Sequence, residues 1–197
     1  MDESIRAYFN KNNGVLKTSQ LKQKGIYYAQ IQAFLEAGLV EQLRRGYYRL
    51  LDDNCYSDIP VITTLFPDAI LYLESALSYY GYIDRTPSSW HVAIKSTSAR
   101  ERFNIHCLSM KPHFITPSKY PIGLSKARID GFGIKIYDRE RTICDVLSHK
   151  NKLDSEIYSQ AVKNYLKDIN INIPTLMKYS KQLHVEKKVR EVLLLWT

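Results

Sequence analysis

Several groups of residues in this chain have types and spacings that could do chemistry. Arg44, Arg45 and Arg49 bracket Gly46-Tyr47-Tyr48, and guanidinium groups so clustered can donate to phosphate oxygens. Upstream, Tyr28, Gln30 and Gln32 lie in a stretch from Tyr27 to Ala37 that contains no Lys or Arg and has the acidic Glu36. A glutamine amide can pair with adenine N6 and N7, and a tyrosine hydroxyl can reach phosphate, so this stretch could read DNA while most of the electrostatic attraction comes from elsewhere. Asp138, Glu140 and Asp145 are carboxylates of the kind that hold Mg²⁺ for phosphoryl chemistry. Their placement at a strand-to-helix junction better suits helix capping and a first-turn charge facing the helix dipole, and the neighbouring Arg139 and Arg141 lower the need for a metal. Arg141 and Asp145 are spaced i, i+4 and can pair on one helix face, which makes Glu140-Arg141-Thr142 with Asp145 a polar cluster that organises the fold.

The remaining reactive types suggest little. Cys55, Cys107 and Cys144 lie far apart with no C-x-x-C pair, which suits a reducing compartment better than a disulfide framework. His106 and Cys107 are neighbours that an alternating strand would put on opposite faces, and His113 follows at a spacing unlike that of paired metal ligands. No Gly-rich phosphate loop, G-x-S-x-G elbow or H-E-x-x-H is present. The reading is of a non-enzymatic protein with no cofactor and no bound metal.

The elements that must carry these residues come in a telling order. A helix from Asp2 to about Asn12 has Ile5, Tyr8 and Phe9 at helical spacing. Thr18 and Ser19 are expected to cap a short helix over Gln20–Lys24 that Gly25 ends. A second helix, Tyr28 to Ala37, puts Ile31, Phe34 and Leu35 on one face and stops at Gly38. Leu39, Val40 and Leu43 then lead into Arg44-Arg45-Gly46 and return through Tyr47-Tyr48-Arg49-Leu50, a hairpin. That is the sequence of a winged helix-turn-helix, in which the second of the two helices enters the major groove and the wing touches phosphates. A winged module that binds protein instead of DNA has the same pattern.

Polar turn formers from Asp52 to Pro60 mark a boundary, giving a winged helix-turn-helix domain over 1–52 and a larger domain over 58–197. In the larger domain, Asp68 to Tyr80 reads as a helix ended by Gly81. Trp90–Lys95 and Phe103–Leu108 read as strands, and so do segments flanking the Asp130-Gly131 hairpin turn. Helices are expected from Asp138 to about Ser148, Ser155 to Leu166, Pro174 to Leu183 and Val185 to Trp196. The fold class is α+β, a winged domain followed by a mixed α/β domain with a helical C-terminal third. The final helix, with Leu193, Leu194, Leu195 and Trp196, either docks on the core or offers a hydrophobic edge to a partner or second copy. Tyr72, Tyr79, Tyr80 and Tyr82, drawn from 15 Tyr in all, read as packing rather than as a base-stacking surface.

With 28 Lys+Arg against 20 Asp+Glu the chain carries a net +8. The excess is spread along its length, as suits a solvated surface or a nucleic-acid partner alike. The start MDESIRAYFN has no long apolar run, and no later segment approaches the ~18 apolar residues of a membrane span, so a soluble cytoplasmic protein with no membrane partner is expected.

Three segments in order, Arg44-Arg45-Gly46-Tyr47-Tyr48-Arg49-Leu50, then Glu74-Ser75-Ala76-Leu77 closed by Gly81, then Glu140-Arg141-Thr142 with Asp145, resemble the signature segments of AbiEi-type antitoxins of bacterial toxin-antitoxin, or abortive-infection, modules. The resemblance implies a winged domain that represses the module's own promoter on double-stranded DNA, and a C-terminal domain that opposes a nucleotidyltransferase toxin functionally, with no stable complex required. It makes Thr18, Ser19, Tyr28, Gln30, Gln32, Arg44, Arg45 and Arg49 the DNA-facing candidates, and Glu74, Ser75, Glu140, Arg141, Thr142 and Asp145 the motif of the antitoxin domain. The chain departs from the family at Tyr27-Tyr28-Ala29-Gln30, where a capping Ser or Thr followed by basic residues is usual.

Overall fold

The structure, a computed structural model, describes residues 1–52, 57–103, 105 and 108–194. It divides into two compact units, one of Met1–Pro67 with Asn104–Leu108 and Ile129–Phe132, the other of Asp68–Phe103, Ser109–Arg128 and Gly133–Thr197.

The first unit is a winged helix-turn-helix. Its elements run α1 (Glu3–Lys11), β1 (Val15–Lys17), α2 (Thr18–Gln23), α3 (Tyr28–Glu36), β2 (Val40–Arg44), β3 (Tyr47–Leu50) and α4 (Ile59–Leu65). β3 lies between β1 and β2, antiparallel to both, with an irregularity between Gln42 and Arg44. Phe9, Leu16, Leu21, Ile26, Ile31, Val40, Tyr48 and Leu50 form one buried cluster to which each of these elements except α4 contributes. Gly38, at φ +63°, lets the chain leave α3 sharply: its N–H donates to Leu35 O and the Leu39 N–H to Phe34 O at 2.9 Å, which satisfies carbonyls left open at the helix end.

The helix starts differ from the sequence expectation. Thr18 and Ser19 lie inside the first turn of α2 instead of capping it, because Lys17 holds the boundary position and its N–H donates to Gln20 Oε1 at 2.9 Å. α3 opens the same way, with the Tyr27 N–H donating to Gln30 Oε1 at 3.0 Å. A glutamine three residues in thus satisfies a free N–H at each start where no Ser or Thr does. The strand β1 was not foreseen, since three residues are too few to show a period.

The second unit is a five-stranded sheet with helices. In order along the sheet it runs β6 (Met110–Ile115), β5 (Trp90–Lys95), β4 (Ile70–Leu71), β8 (Phe132–Tyr137) and β7 (Leu124–Ile129). β4 is antiparallel to β5 and parallel to β8, and β5 is parallel to β6 with Trp90 opposite Met110 and Lys95 opposite Ile115. The expected helix from Asp68 to Tyr80 is instead the strand β4 followed by the shorter α5 (Leu73–Tyr79). Ala69 to Leu73 is apolar or aromatic throughout and fully buried, and a run buried on both faces carries no period to tell strand from helix. Half of the expected strand Phe103–Leu108 falls on residues that are not described. Glu101–Phe103 is a turn of 3₁₀ helix and the strand comes later, as β6; Asn104, His106 and Cys107 lie outside the described residues. Pro112 is tolerated in β6 because that strand forms an edge.

At Asp130-Gly131, both residues take positive φ, +50° and +82°, in the two-residue turn joining β7 to β8, as a hairpin's twist demands. Four helices complete the chain: α6 (Arg139–Ser148), α7 (Ser155–Lys167), α8 (Ile173–Leu183) and α9 (Glu186–Leu194). α6 is central, with every residue from Glu140 to Leu147 buried, and it packs against α5, α7, α8 and α9. Among the described residues no helix is long and apolar enough to cross a membrane.

Candidate nucleic-acid interface

In the winged unit, α3 buries Ile31 and turns Tyr28, Ala29, Gln30, Ala33 and Glu36 outward, with Gln32 half-buried. Tyr28 is 74% exposed and Tyr27 61%, unusual for side chains with so much apolar surface. Gln30 lends its Oε1 to the Tyr27 N–H.

The wing turn rests on the start of α2, where the Thr18 N–H donates to Gly46 O at 2.9 Å. This joint gathers a cationic and aromatic stack that sequence spacing did not reveal. The Tyr47 ring has the Arg44 guanidinium 4.4 Å and the Lys17 ammonium 5.6 Å from its centroid, within cation–π range. A hydrogen bond with Arg44 lowers the Tyr47 phenol below its ordinary value, an effect that Lys17 reinforces. Arg44 also donates to Leu65 O at 3.5 Å. Arg45 is exposed in the turn, as Ser19 is in the first turn of α2. Arg49 points elsewhere: it is ion-paired with Glu41, and lies 4.0 Å from Asp58. The wing's three arginines are therefore not equivalent. Lys17 was missed because it precedes α2 by sequence and joins the wing only through the pairing of β1 with β3 opposite Tyr47.

The residues singled out in the larger domain are engaged by internal partners. Arg141 is 1% exposed; its Nε donates to Asp145 Oδ2 at 2.7 Å and its Nη1 to Lys119 O and Ile122 O at 2.6 and 2.8 Å, while its guanidinium lies 4.2 Å from the centre of the Tyr137 ring. Asp138 caps α6 by accepting from the Arg141 N–H at 2.8 Å and also accepts from Tyr179 Oη at 3.1 Å. Glu140 accepts from the Asn172 N–H at 2.7 Å, and Thr142 Oγ1 donates to Tyr137 O at 3.3 Å. Ser75 Oγ accepts from the His91 N–H at 2.8 Å, and Glu74 Oε1 lies 3.7 Å from His91 Nε2. Burial raises both Asp138 and Glu140 above the ordinary carboxylate values and pushes the Cys144 thiol up to about 12, which leaves the thiol inert. Asp138 and Asp145 both accept from Arg141, through its backbone N–H and its guanidinium, while Glu140 accepts from Asn172, so the three carboxylates do not converge on one ion. Among the described residues no group of three His, Cys, Asp or Glu is placed to hold a metal.

Residues 3–51 match the AbiEi antitoxin family of transcriptional regulators. The AbiEi match thus covers α1 through β3 and stops short of the segments around Glu74 and Glu140. No curated protein matches the chain. Among solved structures, the RV2827C protein from Mycobacterium tuberculosis superposes with a TM-score of 0.66 over 88% of this chain and 71% of that one, at 13% identity, a likeness of fold.

Proposed function

We propose that this chain is the antitoxin of a bacterial abortive-infection module, which represses its own operon by binding DNA and opposes a nucleotidyltransferase toxin. The observation that carries the reading is the Lys17–Tyr47–Arg44 stack beside the exposed Arg45, set within residues that match AbiEi regulators. Stacking holds the cations in place, so less conformational entropy is lost when phosphate binds the donors that Arg44 does not give to Leu65 O and Tyr47. Lys17, Arg44 and Arg45 serve as phosphate contacts, with the Thr18 and Ser19 hydroxyls beside them. Tyr28 and Gln32 read bases from α3, and Gln30 contributes through its amide Nε2, since its oxygen is engaged. Arg49 acts within the wing, where its carboxylate partners already neutralise it.

Mobility shifts on the upstream region of the chain's own gene test this reading. Lys17→Ala with Arg45→Ala should weaken binding on every sequence and reduce the salt slope by about 2, whereas Arg49→Ala should leave the slope near that of the parent. Parent-like binding by the double variant would sink the interface. Absence of any promoter binding by the parent would favour a winged module that binds protein. Antitoxin action is read separately, as growth of cells in which the cognate toxin is driven from an unrelated promoter and this chain is supplied in trans.

A further inference from the structure

Outside the winged unit, α7 and α9 leave a groove of about 620 Å³ between them. Tyr158, Val162 and Leu166 come from one face of α7 at i, i+4 and i+8, and Val192 faces them from α9; all four are only half-buried. The rim is basic. Lys163 and Lys167 stand one turn apart on α7, both exposed; Lys150 lies 5.4 Å from the centre of the Tyr158 ring. Lys188 on α9 is fixed at the rim by donating to Leu147 O at 2.9 Å, a carbonyl of the last turn of α6. Against these four lysines the described residues of the lining hold a single acid, Glu191.

We propose that this groove docks an acidic amphipathic helix of another protein. An apolar floor rimmed by four lysines, with Glu191 on the α9 side, matches a helix with apolar residues at i, i+3, i+4 and i+7 and carboxylates chiefly on the flank that faces Lys163 and Lys167. A nucleic acid fits the floor poorly, because Val162, Leu166 and Val192 offer no donors to a sugar-phosphate backbone and the Tyr158 ring beside them already has Lys150 over it. The proposal is independent of promoter binding, which belongs to the other unit.

The probe is a fluorescein-labelled synthetic helix of about 13 residues, the length of α7, with Leu at the four apolar positions and Glu on the flanks, titrated into the full chain. Binding should weaken about tenfold in Lys163→Glu with Lys167→Glu, exposed positions where the melting temperature should not move, and should weaken as salt rises. A scrambled peptide of the same composition should bind at least about tenfold less tightly. Equal binding of the scrambled peptide, no effect of the double variant, or no binding at all would overturn the proposal. So would displacement of the peptide by a short DNA duplex together with loss of promoter affinity in the double variant, since the rim would then serve phosphates.

Discussion

At the scale of single residues, Arg141 decides most. It is a full charge sealed inside the molecule, and its stability depends on three acceptors arranged around it: the Asp145 carboxylate and the carbonyls of Lys119 and Ile122. Removing one partner of such a pair strands the other, so Arg141→Ala and Asp145→Asn should each cost on the order of 3–5 kcal/mol in a thermal or urea melt. Toxin protection should fall only where stability falls. A well-folded Asp138→Asn or Asp145→Asn variant that no longer protects would instead point to phosphoryl chemistry at these carboxylates. A second residue sets a pH dependence. His113 sits between the rings of Tyr72 and His91 at 5.0 and 5.2 Å. Burial, then the nearby His91, His149, Lys111 and Lys152, pulls its imidazole from 6.5 down to about 4. Below pH 6.5 the unfolded chain binds a proton at His113 that the folded chain refuses, so stability is full above 6.5 and is lost as pH falls toward 4. Melts across that range should show a shallower loss in His113→Phe than in the parent. An unchanged slope would mean that His91, also lowered by burial, dominates.

Among the elements, the loop entering β7 is held tightly at Gly123. Gly123 takes φ +72°, and a Cβ there would lie 2.4 Å from Arg141 Cβ. The Gly123 carbonyl accepts from the Asp138 N–H at 2.8 Å, so this loop holds the start of α6 from outside while Ile122 O holds the Arg141 guanidinium. Neither backbone can yield cheaply. Gly123→Ala should therefore destabilise the chain on the order of 3 kcal/mol, a cost combining backbone strain and overpacking. Gly131, equally left-handed but with open space around it, should pay only for its conformation. Comparing the melting temperatures of Gly123→Ala and Gly131→Ala separates the two contributions, and equal losses would show that the close approach to Arg141 does not matter.

For the whole molecule, the question is how much chain the winged unit needs. The sequence reading places its end at residue 52, whereas the compact unit continues to Pro67 and takes in α4. α4 packs against β1, Ile59, Val61, Ile62 and Leu65 are buried, and Leu65 O accepts from Arg44 of the wing. A 1–67 fragment should consequently melt at a higher temperature than a 1–52 fragment and bind the promoter more tightly. The measurement is calorimetry and mobility shift on both, and equal behaviour would show that α4 contributes nothing to the wing.

The sequence by itself determined the winged order of helices and strands, the turn at Asp130-Gly131, the cap at Asp138 and the four C-terminal helices, because each is written in local signals: a capping side chain, a glycine able to take positive φ, an apolar period of 3.6. It also set Arg141 and Asp145 on one helix face, since i, i+4 spacing needs no tertiary knowledge. Only the tertiary structure decided what those residues meet. Ile70-Leu71 became a strand because sheet neighbours on both sides supply hydrogen bonds that a helix would have made internally, and a fully buried run has no period to announce it. Burial of the Arg141 charge depends on carbonyls about twenty residues away. Lys17 came to share the Tyr47 ring with Arg44 through the pairing of β1 with β3, and Arg49 to face Glu41 through the pairing of β2 with β3, choices of partner that spacing along the chain does not specify.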